Sequence, residues 1–413
     1  MLRIVMKFGG TSVADIGRLE HVALKVRRQV EAGDQVAVVV SAMAGVTNQL
    51  VGYAKALGGS ESLPEYDAVV STGEQITTAL LALALQQIGV PAQSFMGWQI
   101  PIRTDNCHGR ATIQSIEAKP FESCWEKGIV PIVAGFQGIN SHRRITTLGR
   151  GGSDTTAVAV AAAVKADRCD IYTDVEGVYT ADPRLVPLAR KLDEISYAEM
   201  LELAAQGAKV LHPRSVGTAM ISEVAVQVLS SFDDKPGTMV TSSAQLTEVG
   251  ISGITHSTGW LKLTVDLGDT LSTNIKKMRS LLGQANISHE MMVMNLSKGG
   301  SIDLFIPHGH LTWLLTVLED HKIALESQIS VTPDLAKVTL VGRGLIAENG
   351  YSQKLLQAMK NLDFSTHLAT LTTQKFSIGV HEAKACDLVR YLHYYFNLDQ
   401  INDNSPKIMA ARL

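Results

Sequence analysis

Short apolar runs alternate with longer stretches of helical period up to about residue 243. The run LRIVMKF predicts a strand, GGTS follows it, and GRLEHVALKVRRQVEAG predicts an amphipathic helix that stops at Gly33. QVAVVVS is apolar throughout, as a strand buried on both faces is, and AMAGVT leads from it into another helix. STGEQITTALLALALQQIG predicts a further helix, capped by Ser71 or Thr72, with Glu74 in its first turn and Gly89 after its end. IVPIVAGF and CDIYTD read as buried strands, SYAEMLELAAQG as a helix leading to AKVLHPRSV, and VAVQVLSSF as a closing strand. Strand and helix in alternation predict βαβ units around a parallel sheet.

Beyond Thr247 the pattern changes. GWLKLTVDLGD predicts a strand, TNIKKMRSLLGQANI a helix, HEMMVMNLSKGGSIDLFIP a hairpin turning at Gly299-Gly300, and LTWLLTVLEDHKI a second helix. The same order returns in AKVTLVGRG, YSQKLLQAMKNL, STHLATLTTQKFSIGVHEA and CDLVRYLHYYF. Leu261 and Ala336 open the two copies, 75 residues apart. A tandem βαββα repeat is the ferredoxin-like pattern. The expected architecture is one large α/β domain followed by two small, similar modules.

Composition narrows the class. The 413 residues are 46% hydrophobic and 19% charged, with a net charge of −3, so there is no general pull toward nucleic acid or anionic membranes. Four scattered cysteines (Cys107, Cys124, Cys169, Cys386) form no CxxC pair, which suits a reducing cytosol better than a zinc site or a disulfide framework. The N-terminus lacks a signal peptide's regions, and no uninterrupted apolar run of about 18 residues predicts a membrane span. A cytoplasmic protein is expected.

The chemistry gathers where strands meet helices through small residues: KFGGTS, SAMAGVT, GFQG and GRGGSD. In an open parallel sheet, ligands collect at the carboxyl ends of strands, where helix N-termini offer N–H groups to anions. Neither a P-loop nor a GxGxxG after the first strand is present, which weighs against those nucleotide motifs. Lys7 ends an apolar strand just before Gly9-Gly10; it either snorkels at the sheet edge or projects over a phosphate. Arg150, beside Gly151-Gly152, is a planar fork suited to a carboxylate. Asp154 either caps the following helix, as Ser153 equally could, or has a functional role, orienting Lys7 or sitting near a magnesium-bound phosphate. Glu74 either compensates a helix dipole or pairs with an amine; together with Arg150 it supplies what a zwitterionic amino acid requires.

Six ordered motifs go further: KFGGTSV (Lys7–Val13), VVVSAMAGVTNQL (Val38–Leu50), STGEQ (Ser71–Gln75), TTLGRGGSDTTA (Thr146–Ala157), YTDVEGVYTADPR (Tyr172–Arg184) and GAKVLHPRS (Gly207–Ser215). In these the chain resembles the aspartokinases over almost its full length. The resemblance implies an amino acid kinase fold at 1–245 and two ferredoxin-like ACT modules, one at 258–332 and one built from 246–257 with 333–405. EVGISGITHS would then be a strand of the second module, completed only after Leu335. It implies transfer of the γ-phosphoryl of ATP, with Mg²⁺, to the side-chain carboxylate of L-aspartate, opening lysine, threonine, methionine and diaminopimelate synthesis. Lys7, Gly9 and Gly10 would contact phosphates. Ser41, Thr47, Glu74 (amine), Arg150 (carboxylate), Gly151, Gly152 and Ser153 would line the aspartate side, and Asp154 would organise the catalytic centre. Thr173, Asp174, Tyr179, Asp182, Arg184 and Lys209 would shape the nucleotide pocket. ACT modules imply an amino-acid effector, lysine first and threonine second, and assembly as a homodimer or larger.

The tail departs from the family pattern at LGD (Leu267–Asp269) and in STHLATLTTQKFSIGV; ANISHEMMVM (Ala285–Met294) is the stretch in which to look for an effector contact, with Met291, Met292 and Met294 read as core rather than as contacts. Two rivals stand beside this reading. One is a kinase of the same fold acting on another acid, and the other a silent amino-acid-binding regulator.

Overall fold

The computed structural model describes residues 1–242, 250–267, 271–285, 287, 291–295, 300–323, 328–346 and 351–400. The expected boundary at 245/246, most of the LGD turn, Gly299 of the hairpin and much of ANISHEMMVM lie outside the described residues, as do 401–405. The chain forms two compact units. The first holds Met1–Val178, Lys191–Ala205 and Lys209–Thr247; the second holds Tyr179–Arg190, Gln206–Ala208 and Glu248–Leu413.

The first unit opens with β1 (Arg3–Phe8), α1 (Ile16–Glu31), β2 (Gln35–Val40), α2 (Val46–Ala56), α3 (Pro64–Val70), α4 (Thr72–Gln87) and β3 (Ala92–Phe95). It continues with β4 (Arg103–Thr104), β5 (Ile113–Ser115), α5 (Lys119–Trp125), β6 (Val130–Ala134), β7 (Gln137–Ile139), β8 (Ile145–Thr147), α6 (Gly152–Ala163) and β9 (Arg168–Thr173). It closes with β10 (Glu194–Ser196), α7 (Tyr197–Gln206), α8 (Pro213–Ser222), β11 (Val226–Ser230) and β12 (Thr238–Thr241). The main sheet has eight strands in the order β10-β12-β11-β9-β1-β2-β6-β3. From β11 to β3 every pairing is parallel; β12 runs against β11, with β10 parallel to it. VAVQVLSSF is therefore not the last strand. A second sheet, β5-β4-β7-β8, was not legible in the pattern, because strands of two or three residues carry no period to read.

The central strands are apolar because helices cover both faces. Leu19, Val22 and Val26 of α1 and Leu81 and Leu85 of α4 pack on Ile4, Met6, Phe8, Val36, Val38 and Val40. Each such side chain, fully buried, contributes about 1.5–3 kcal/mol. The alanine-rich α6 packs on β1, β2 and β9 and beside α8. Asp15 starts α1, accepting from Arg18 N at 2.9 Å. The expected caps of α4 are absent: α3 runs into it, and Ser71 and Thr72 donate backwards to the carbonyls of Ala68 and Val69, at 3.2 and 2.7 Å. The helical run Pro64–Gln87 is long and apolar enough to cross a membrane, yet half of its most apolar window is buried inside the protein. The order of strands reverses at β1, which lies between β2 and β9; chain reversal of this kind opens a crevice at the strands' carboxyl ends.

The second unit contains β13 (Gly250–Asp266), α9 (Leu271–Gln284), β14 (Met292–Asn295), β15 (Ser301–Pro307), α10 (Leu311–Asp320) and β16 (Ile329–Arg343). α11 (Tyr351–Lys360), β17 (Thr366–Leu371), β18 (Lys375–His381) and α12 (Glu382–Tyr395) complete it. Its six-stranded sheet runs β14-β15-β13-β16-β18-β17. The long strands β13 and β16 each serve two halves. Gly250–Ser257 pair with Arg343–Lys337, beside β18, whereas Trp260–Asp266 lie between β15 and the first residues of β16. Irregular register around Ser257–Lys262 marks the change. Its larger cores lie around Leu263, Leu304 and Leu314 and around Val338, Ile378 and Leu388, with a smaller cluster of Met291, Phe305, Leu335 and Leu368.

Candidate active site

A cleft of about 370 Å³ opens where β1, β2 and β6 end and α6 begins, in the crevice that the strand order predicts. Lys7, Gly10, Ser41, Thr47, Glu74 and Arg150–Asp154 all line it. Lys7 closes β1 and is buried, with its Nζ 2.6 Å from Asp154 Oδ1 in the first turn of α6. That contact is an ion pair at the wall of the cleft. The residue that caps α6 is Gly151, so neither Ser153 nor Asp154 is used as a cap.

The Gly-Gly pair has a steric cause. Gly151 sits at φ +69°, and a Cβ there would lie 2.2–2.3 Å from Cβ and Cγ of His212. His212 is itself fixed as the cap of α8, its Nδ1 accepting from Arg214 N at 3.3 Å. Burial, with the Arg214 charge, holds its imidazole below the ordinary range. The Arg214 guanidinium donates to the carbonyls of Leu148 and Ala111, the latter at 2.8 Å. The LGRGG turn is thus clamped from below, and Arg150 projects from it exposed.

Glu74 forms the opposite wall. Gly73 lets α4 approach the loop after β2, because a Cβ at that position would lie 2.7 Å from the Ala42 methyl. Glu74 Oε1 accepts from Ala42 N at 3.0 Å, while Oε2 is buried without a hydrogen-bond partner among the described residues. Burial pushes the carboxyl up to about 7, against the opposing effect of the Ala42 hydrogen bond. A carboxylate oxygen kept dry and unsatisfied beside a cleft is costly unless a cationic ligand arrives.

Other candidate residues lie elsewhere. Gly9 N donates to Tyr172 O at 3.2 Å, which places it beside β9, and Thr173 and Asp174 follow at that strand's end. Tyr179, Asp182 and Arg184 belong to the second unit, where Arg184 pairs with Asp182 at 2.6 Å. Lys209 is exposed before α8. The cleft adds Met43, Asn48, Gly149 and Phe136. Phe136 holds φ +68°, a strained conformation for an aromatic residue, and donates its N–H to Thr156 Oγ1 at 3.2 Å. The loop GFQG was visible in the sequence, but nothing in it singled out the phenylalanine. Among the described residues no group of three or more His, Cys, Asp or Glu could hold a metal ion.

Comparison with known proteins agrees with this arrangement. Residues 2–230 match the amino acid kinase family. An aspartate kinase of Pseudomonas fluorescens is 42% identical over 408 residues, covering 97% of this chain and 98% of its own. The structure of E. coli aspartokinase III in complex with aspartate and ADP (R-state) superposes with a TM-score of 0.80 at 28% identity, covering 95% of this chain and 99% of its own. The same enzyme in complex with lysine and aspartate (T-state) gives 0.73 at 28% identity, with the same coverage.

Proposed function

The chain belongs to the amino acid kinase family, among its aspartate kinases, and from that premise we propose that it transfers the γ-phosphoryl of ATP to the side-chain carboxylate of L-aspartate. The products are 4-phospho-L-aspartate and ADP, and the reaction opens the aspartate family of amino acids. The observation that carries the substrate reading is the buried Oε2 of Glu74, without a hydrogen-bond partner among the described residues, in the same cleft as the exposed guanidinium of Arg150. An α-ammonium satisfies the first and an α-carboxylate the second, which leaves the side-chain carboxylate free to point toward Lys7. Ser41, Thr47 and the Gly151–Ser153 backbone line the same space.

A carboxylate with an ordinary pKa of about 3.9 is already ionised at pH 7, so the nucleophile needs no general base. One of its oxygens forms the new bond to the γ-phosphorus as the bond to the β,γ-bridging oxygen breaks, and ADP carries that electron pair away. Catalysis then rests on alignment and on neutralising charge at the phosphoryl oxygens. Lys7 supplies one positive charge, and Asp154 holds its ammonium in place. The donor set also fits a cation that arrives with the nucleotide, because the Asp154 carboxylate offers hard oxygen atoms at the cleft beside Lys7. Mg²⁺ held there would offset phosphate charge. Gly9, Gly10, Thr173 and Asp174 are assigned to the nucleotide; Tyr179, Asp182, Arg184 and Lys209 keep that assignment from the family motif alone.

Lysine is the proposed effector, with threonine second, in keeping with the lysine complex of the E. coli relative. Assembly as a homodimer or larger is proposed through the second unit, whose sheet ends in the edge strands β14 and β17. The working compartment is the cytoplasm.

The deciding experiment is ADP release from purified protein with Mg-ATP, comparing L-aspartate, L-glutamate and no acceptor, each with and without lysine or threonine. Aspartate-dependent turnover is expected. Turnover with glutamate alone overturns the substrate, and no turnover with any acceptor favours a silent regulator.

A further inference from the structure

Asp67, on α3, is completely buried, and its carboxylate joins three separate segments. Its Oδ2 lies 2.6 Å from His108 Nδ1, Gly109 N donates to both oxygens at 3.1 Å, and Thr147 Oγ1 donates to Oδ1. None of these groups lines the cleft. A carboxylate in the interior is expensive unless several donors surround it, so packing alone does not call for one on this face of α3.

What the carboxylate joins is informative. Asp67 lies on α3, which passes through Ser71 alone into α4, the helix that bears Glu74. Thr147 ends β8 and leads directly through Leu148 and Gly149 to Arg150. The Gly109 carbonyl packs against Gly149, where a Cβ would lie 2.9 Å from it. Ala111 N donates to Thr147 O at 2.9 Å, so the 108–111 loop follows the same strand end. The helix that leads into the one bearing Glu74 and the strand end that leads into the turn bearing Arg150 therefore meet at one buried carboxyl group.

We propose that Asp67 is a positioning residue for the amino-acid subsite: with His108, Gly109 and Thr147 it sets the separation of Glu74 from Arg150, and so the acceptor that fits. This rests on reading the cleft as the aspartate site. Shifting one wall of that site moves the acceptor carboxylate off line while leaving the phosphate end at Lys7 untouched.

The test uses the full-length enzyme carrying Asp67→Asn, Thr147→Val or Thr147→Ser. Initial rates are measured with aspartate and with glutamate at saturating Mg-ATP, and with ATP varied at saturating aspartate. The expected result is a fall in kcat/KM for aspartate of about 30-fold or more in Asp67→Asn and about fivefold in Thr147→Val. The ATP KM stays within about twofold, the preference for aspartate over glutamate narrows, and Thr147→Ser restores wild-type behaviour. A loss confined to kcat with unchanged aspartate KM and unchanged acceptor preference reports fewer folded molecules and overturns the proposal. So does a Thr147→Val enzyme indistinguishable from wild type. Should Asp67→Asn fail to fold, the Thr147 pair decides by itself. Wild-type protein without aspartate-dependent turnover would overturn the reading of the cleft, and this proposal with it, a result distinct from any variant's.

Discussion

Lys7 and Glu74 are both buried ionisable groups, near a strand end and a helix start, and both line one cleft. Lys7→Ala should lower turnover by about 100-fold or more while aspartate still binds, because charge stabilisation at the phosphoryl is lost and the Glu74–Arg150 end is intact. Near-normal turnover of that variant would remove Lys7 from the mechanism. Glu74 predicts a pH dependence with a definite sign. Its carboxyl rises from an ordinary 4.5 to about 7 in the ligand-free fold, so the folded chain holds this proton more tightly than the unfolded one. The stability it contributes is complete below about 4.5 and is lost as pH rises through about 7. Aspartate, whose ammonium favours the ionised form, should bind more tightly across the same rise. Thermal melts from pH 5 to 8 check both: Glu74→Gln should flatten the decline in Tm and abolish the Tm gain from aspartate. An unaltered decline in that variant would mean another group titrates. Gly151→Ala should be far worse than its size suggests, since it meets both a positive φ and the His212 ring. Roughly a tenfold or greater loss in kcat/KM for aspartate is expected, as the turn carrying Arg150 shifts.

Elements tell which parts of the chain act together. The segment Tyr179–Arg190, which includes the end of the YTDVEGVYTADPR motif, packs in the second unit. Ala181 and Val186 join the core with Leu388 and Leu392 of α12. Thr180 is fully buried; its Oγ1 accepts from Arg190 N at 2.9 Å and lies 2.9 Å from His393 Nε2, and its carbonyl accepts from Ile254 N at 2.8 Å. Thr180→Val keeps the shape and removes the hydroxyl, leaving Arg190 N and His393 without it. A loss of about 1–3 kcal/mol in the unfolding of this unit is expected, seen as a lower urea midpoint. An unchanged midpoint would show that water replaces the hydroxyl at no cost. Truncation after residue 243 strips the apolar partners from Ala181 and Val186, so a soluble, effector-insensitive kinase is not the expected product of that cut. Point changes in the β14–β15 and β17–β18 hairpins are the better probe of regulation.

For the whole molecule, the tail's two larger cores and shared long strands make the modules one cooperative object, and an effector bound there should act on turnover without occupying the aspartate cleft. Lysine is expected to suppress ADP release at saturating substrates; an effect abolished by excess aspartate would instead mark competition at the cleft. The alternation of buried strands and amphipathic helices, the tandem repeat and the ordered glycine-rich motifs were all legible in the sequence by itself, because each is a local pattern: the periods of strand and helix, and runs of residues needed side by side. Lys7, Arg150, Asp154 and Glu74 were legible for the same reason, each standing next to glycines or at a helix start. Only the tertiary structure decided what depends on residues distant in the chain. It decided that Asp154 answers Lys7 instead of capping a helix, that His212 forces the glycine at 151, and that Asp67 joins two walls of the cleft. It decided that residues 179–190 leave the unit on either side of them. Hydrogen bonds, ion pairs and steric limits of this kind act through space, and no spacing along a single chain records them.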